Sequence, residues 1–186
     1  MNNSYFSLLL TMLGSLVLSV SAQDTNSLKT DLGVFEAQTG TVLVKGFGHI
    51  GSLTVGTDRI TVSCKESTDI TTGRKIDGLA ILIQGNTSLR KRILVDYEEI
   101  DPLLEGINYL NKISYEITPL PGFEACFATK AGLMVVANSQ RRQGLIQDSL
   151  EYGDDIRILL TPDQMTQFYR LLEQAKKSLD NLRNPK

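Results

Sequence analysis

Apolar and polar positions change their spacing along this chain, and each change predicts an element. From Leu32 the pattern is β-like: "LGVFEAQ", "TVLVKGFG", "DRITVSCKES", "KIDGLAILIQG" and "KRILV" are β-favouring runs. Their breaks at Thr39-Gly40, Gly56-Thr57-Asp58, Thr71-Thr72-Gly73 and Gly85-Asn86-Thr87 carry turn residues. Val62 and Cys64 alternate with Thr61, Ser63 and Lys65, as in a half-buried strand. Ile100, Leu103, Leu104, Ile107 and Leu110 then recur at helical spacing. Asp96 and Glu99 form a capping-box pattern before that helix, although Pro102 also allows a start with Asp101 as the cap. Either helix ends near Asn111-Lys112. After Pro119-Leu120-Pro121-Gly122 the β pattern returns in "FEACFATK", "LMVVANS", "GLIQDSL" and "DDIRILL". A last helix follows, with Thr161 as cap, Pro162 in first position and Gln164 closing the box. Met165, Phe168, Leu172, Ala175, Leu179 and Leu182 form its apolar stripe. That stripe should cover a sheet, the alternative being self-association through a coiled-coil seam.

The two halves echo each other. "RILVDYEEI" from Arg92 aligns with "RILLTPDQM" from Arg157, and each runs from a strand into a capped helix. The predicted fold is therefore α+β: mostly antiparallel β with two helices, as a strand-rich unit followed by a helix, used twice. Residues 32–186 form one domain, with half-units at 32–115 and 122–186. In element order this resembles the Whirly and PUR single-stranded nucleic-acid binders. The resemblance implies a single-strand-binding module as one alternative function.

The start of the chain reads differently. Phe6 to Val20 is uncharged and rich in Leu, Val and Met, and Ser19-Val20-Ser21-Ala22 closes it. The stretch is short for a hydrocarbon core of roughly 30 Å. It reads as a secretory signal peptide over residues 1–22, cleaved after Ala22, with an uncleaved anchor as the alternative. A polar leader, expected to be mobile, follows over residues 23–31. The expected location is periplasmic or extracellular, and no later segment is apolar enough to span a membrane.

With 19 Lys and Arg against 21 Asp and Glu, the net charge of −2 lacks the basic excess of a dedicated polyanion binder. Arg90-Lys91-Arg92 and Arg141-Arg142 are basic clusters of the kind found at strand ends and turns. There is no Trp, so a stacking platform is poorly stocked. Export changes the reading of Cys64 and Cys126, since an oxidising compartment favours pairing. They are expected on strands facing the interior, either as one disulfide or as two buried thiols.

Gly46, Gly48 and Gly51 stand in G-x-G-x-x-G spacing within "TVLVKGFGHIGSL". Locally "GFGHIG" resembles the Gly-rich turn that opens glyceraldehyde-3-phosphate dehydrogenases, which implies a bound dinucleotide. That chemistry needs a helix directly after the glycines to meet the pyrophosphate. Here "SLTVGTDRITVSCKES" follows, broken at Gly56 and dominated by β-branched residues. Glu66 or Asp69 falls near the ribose-binding position, but no helix context supports it. The glycines are better explained by a bent or bulged strand, and no cofactor is expected.

His49 is the only histidine, so a multi-His zinc site is excluded. Ser63, Cys64 and Ser139 are its candidate nucleophile partners, none in a nucleophile motif. Asp96, Glu98, Glu99 and Asp101 cluster, as do Glu151, Asp154 and Asp155. Neither set has a calcium-loop pattern, and acids at a helix start complement its dipole. Asn86-Thr87-Ser88 is a glycosylation sequon on a turn. The resulting reading names no catalytic, cofactor or metal residues. It is an exported non-enzymatic binding or envelope-associated interaction protein, its partner a protein or small molecule. The alternatives are a hydrolase centred on His49 and the single-strand-binding module.

Overall fold

Four antiparallel strands and a helix, repeated once, build the molecule. The computed structural model describes residues 29–85, 90–140 and 144–184. The signal segment, the leader up to residue 28 and the Asn86 sequon lie outside the described residues. The first sheet has the order β1 (Leu43–Val55), β2 (Asp58–Asp69), β3 (Lys75–Gln84), β4 (Arg90–Asp96). Helix α2 (Tyr97–Leu110) follows it. The second sheet repeats the order with β5 (Glu124–Ala128), β6 (Leu133–Gln140), β7 (Leu145–Tyr152) and β8 (Ile156–Leu160), and leads into α3 (Pro162–Arg183). Every pairing is antiparallel between neighbours in sequence. The expected α+β fold with a repeated unit is what the chain adopts.

The helix starts follow from capping chemistry. The Thr161 hydroxyl accepts from the Gln164 amide at 3.2 Å, and the Gln164 side chain accepts from the Thr161 amide at 2.9 Å. At the equivalent place in the first half, Glu99 accepts from the Asp96 amide at 3.1 Å. The cap of α2 is thus Asp96 rather than Asp101, and Pro102 sits inside the helix.

The apolar faces of both sheets and both long helices meet in one continuous core, with Leu53, Ile60, Leu79, Leu133, Leu150 and Ile158 on the sheet side. The helices cross between halves. α3 packs chiefly on β1 and β2 of the first sheet, and α2 lies against β5 of the second. Gly106 permits that second contact, because a Cβ there would fall 2.5 Å from the Phe127 ring. Met165, Phe168, Leu172, Ala175 and Leu179 are buried, and Leu171 joins them. Each fully buried Leu contributes roughly 1.5–3 kcal/mol. Leu182 departs from the expected stripe and is 63% exposed.

Two further expectations are corrected. "LGVFEAQ" is not a strand: α1 (Asp31–Glu36) occupies it, and the buried Thr30 caps it by accepting from the Gly33 amide. The Asp96 carboxylate also accepts from the Asp31 and Leu32 amides, both at 2.9 Å, so one side chain serves two helix starts. α1 lies on the outer face of the first sheet, where Leu32 packs on Ala80 and Leu94. The cysteines are both free. Cys64 is buried in the first sheet, whereas Cys126 is exposed on the second. Cys126 pairs in register with Val136 while Ala125 and Phe127 turn inward, so the strand's alternation carries its thiol away from the core.

Candidate binding groove

The Gly-rich segment is a strand throughout, with no helix at its end, and it floors a groove of about 580 Å³. Gly46 stands opposite Glu66 and Gly48 opposite Cys64. Ser178, Asn181 and Leu182 from the last turns of α3 form the opposite wall. A Cβ at Gly46 would meet nothing nearer than 3.9 Å, and one at Gly48 nothing nearer than 3.7 Å. The missing side chains are therefore what keeps the space open. Gly51 has a different role. A Cβ there would fall 2.6 Å from Leu171 Cδ2, so Gly51 lets α3 approach the sheet. Between the two, β1 carries one extra residue: His49 faces Ser63, Gly51 faces Val62, and Ile50 is the bulge. The bent-strand expectation thus holds at this point, and Ile50 also lines the groove.

β1 is an edge strand, paired among the described residues with β2 alone. Its register shows which backbone groups are unpaired. Ile70 N–H donates to the Val42 carbonyl at 3.0 Å, so Val42 belongs to the hydrogen-bonded set. The same alternation makes Val44, Gly46 and Gly48 point their amides and carbonyls at β2. Leu43, Lys45 and Phe47 then direct theirs to the open edge. Residues Val44 to His49 are all exposed, and Phe47 is 58% exposed.

The far wall of the groove is held by the end of α3. Tyr97 donates its phenol to Asp180, and Arg183 forks onto Asp77 at 2.8 and 2.9 Å. Lys176 reaches Asp180 at 3.0 Å and Asp101 at 3.3 Å. Hydrogen bonds from Tyr97 and Lys176 hold the Asp180 carboxyl below its usual range.

On the opposite side of β1 and β2 an ion pair docks α1. Lys65, whose side chain has no exposure, reaches Glu36 at 2.8 Å and lies 4.7 Å from the Phe47 ring centroid. Ser67 donates to the same carboxylate and Lys45 pairs with it at 3.2 Å. Burial would raise Glu36, but the bonds from Lys65, Ser67 and Lys45 outweigh it and hold the carboxyl low. Lys65 is pulled down by burial, which Glu36 offsets only in part, while Arg92 and Lys45 add repulsion.

The remaining sequence candidates have other duties. His49 is exposed with Ser63 beside it in register; Cys64 lies on the other face of β2. The Cys64 thiol donates to the Ala175 carbonyl at 3.3 Å, and burial pushes it up to about 11, the wrong direction for a nucleophile. Ser139 is in the second sheet, where its hydroxyl accepts from the Phe123 amide. The three candidate nucleophiles are thus not gathered around His49. Glu66 pairs with Lys75, and Asp69 caps the β2–β3 turn by accepting from Thr71 and Thr72. Asp31, Asp96 and Glu98 bring carboxylate oxygens together, but the Lys130 ammonium lies among them at 3.6, 3.0 and 2.8 Å. Glu151 pairs with Arg157 at 3.1 Å. The Lys65–Glu36 pair and the α3 wall have no local sequence signal, because each joins residues far apart in the chain. No known protein family matches the chain, and no curated protein matches it.

Proposed function

We propose that this is an exported, non-enzymatic binding protein that captures an extended polypeptide segment at the free edge of β1. One observation carries the reading: the unpaired edge of β1 and the glycine-floored groove lie side by side on the same residues. An added antiparallel strand would take its hydrogen bonds from Lys45 and Phe47. Its residues opposite Gly46 and Gly48 would then form non-hydrogen-bonded pairs, where the two backbones approach to roughly 4.5 Å. Those are the positions at which β1 offers no side chain. The ligand's side chains there would enter the groove against Ile50 and Leu182, so alternate apolar residues are required. Ser178, Asn181 and Glu66 supply a polar margin.

The test uses synthetic peptides that alternate valine and serine, with composition-matched scrambled peptides as controls. The alternating peptides should bind, and Gly48→Leu should abolish binding while leaving the circular dichroism spectrum unchanged. Amide exchange at Lys45 and Phe47 should slow on binding. Loss of binding in Gly48→Leu without any slowing at those amides would mean a small molecule in the groove, and strand addition would be wrong. Export is checked by N-terminal sequencing of protein recovered outside the cytoplasm, which should begin at Gln23.

A further inference from the structure

The outer face of the first sheet is only half covered. α1 lies over Ala80 and Leu94, and beyond them no other described element covers the face. Register builds that open half from two rows across the four strands. Thr54, Arg59, Gln84 and Arg90 form one row. Ser52, Thr61, Leu82 and Arg92 form the other. Paired residues of an antiparallel ladder share a face, and the core residues Ile60, Ile83 and Ile93 alternate with these, so all eight point outward. Neither row contains an acidic side chain. Arg59, Arg90 and Arg92 are exposed, and among the described residues none of them is ion-paired.

We infer that this open half-face docks the protein onto an anionic bilayer surface. The three guanidinium groups define a plane. Arg90 and Arg92 are two residues apart on one strand, roughly 7 Å, and Arg59 is two strands away, roughly 10 Å. A linear polyanion is best met by a row of charges, whereas a two-dimensional array of phosphates is met by a triangle. The face carries no aromatic ring, so it has nothing on which bases could stack. Hydroxyls of Ser52, Thr54 and Thr61 add donors for phosphate oxygens between the arginines. The net charge of the chain is −2 in spite of these three arginines, so the rest of the molecule is negative and is repelled from such a surface. Attraction on one face and repulsion elsewhere fix a single orientation. None of the three arginines lines the β1 groove.

The experiment is sedimentation of the full chain with vesicles of phosphatidylcholine alone or of phosphatidylcholine mixed with phosphatidylglycerol. The measured quantity is the ratio of the two affinities, which cancels any charge-independent insertion by the apolar N-terminal segment. The ratio should favour the anionic vesicles and fall as salt rises. Each arginine at an anionic surface is worth roughly fivefold. The triple variant Arg59→Gln, Arg90→Gln, Arg92→Gln should therefore lower the ratio on the order of 100-fold. The charge-matched control Lys112→Gln, Arg170→Gln, Lys177→Gln should preserve it. Equal binding to both vesicle types, or equal loss in the two variants, would overturn the proposal. So would tighter, arginine-dependent binding of a single-stranded oligonucleotide, which would identify a nucleic acid as the partner instead.

Discussion

Arg183 holds its guanidinium 3.4 Å from the centre of the Tyr97 ring while its Nε and Nη2 donate to Asp77. The last turn of α3 is thereby fixed to the first turn of α2 and to β3. Cation–π contact at a partly exposed site is worth about 0.5–1 kcal/mol, and an exposed bidentate pair adds at most about 1 kcal/mol more. Arg183→Ala should cost about 1–2 kcal/mol in urea denaturation. Arg183→Lys should recover only part of this, because an ammonium lacks the planar fork. A loss below the precision of the titration would show that the end of α3 is held by its apolar contacts alone.

The Lys65–Glu36 pair should respond asymmetrically to substitution. Glu36→Gln leaves a buried ammonium without its carboxylate and should cost about 3–5 kcal/mol. Lys65→Met with Glu36→Gln removes both charges and should cost less than Glu36→Gln alone, because no unpaired charge is left buried. Because the folded-state Glu36 carboxyl is lowered from 4.5, its contribution is complete above that pH and is lost as pH falls through the folded value. The acid limb of wild-type stability should therefore be steeper than that of the double variant. Parallel limbs would contradict the assignment.

The three glycines of the G-x-G-x-x-G stretch should behave differently. None of them has a positive φ, so alanine is conformationally allowed at each. Gly51→Ala meets Leu171 and should cost about 1–3 kcal/mol through overpacking. Gly46→Ala and Gly48→Ala make only ordinary van der Waals contacts and should be neutral, or stabilising by about 0.5–1 kcal/mol. Thermal melts of the three variants decide the point. A large loss at Gly48 would mean that the groove is closed in solution.

Native protein should react with a thiol reagent at Cys126 and not at Cys64. Cys126 is exposed, while Cys64 is buried, donates to a helix carbonyl and has its thiol pushed up to about 11. Mass spectrometry should find one label per chain under native conditions and two in denaturant, with no disulfide before reduction. Rapid labelling of Cys64 in the native state would show that α3 opens from the sheet.

Much of the architecture was legible because it is local. The Thr161 box, the α3 stripe and the hairpin breaks all follow from spacing within a few residues. α1 was not legible, since "LGVFEAQ" is a short run with β-favouring residues and its helix depends on the Asp96 carboxylate 65 positions away. The orientation of Cys126 was readable in principle, because it falls on the same side of β5 as Glu124 and Ala128. The groove could not be read from the glycines, which form a floor only once α3 supplies a wall. The arginine triangle was equally hidden. Arg59 is far in sequence from Arg90 and Arg92, and only the pairing of β2 with β3 and β3 with β4 places them together.

The crossing of the helices between halves also sets when the molecule can fold. Cys64 touches Ala175 across 111 positions, and Asp77 holds Arg183 across 106. The apolar side of the first sheet lacks its main cover over β1 and β2 until α3 has left the ribosome. Long-range pairings of this kind close slowly, since loop entropy is lost before the contacts form. A nascent chain therefore keeps the apolar face of β1 and β2 uncovered until α3 emerges, and depends in the meantime on whatever shields those two strands.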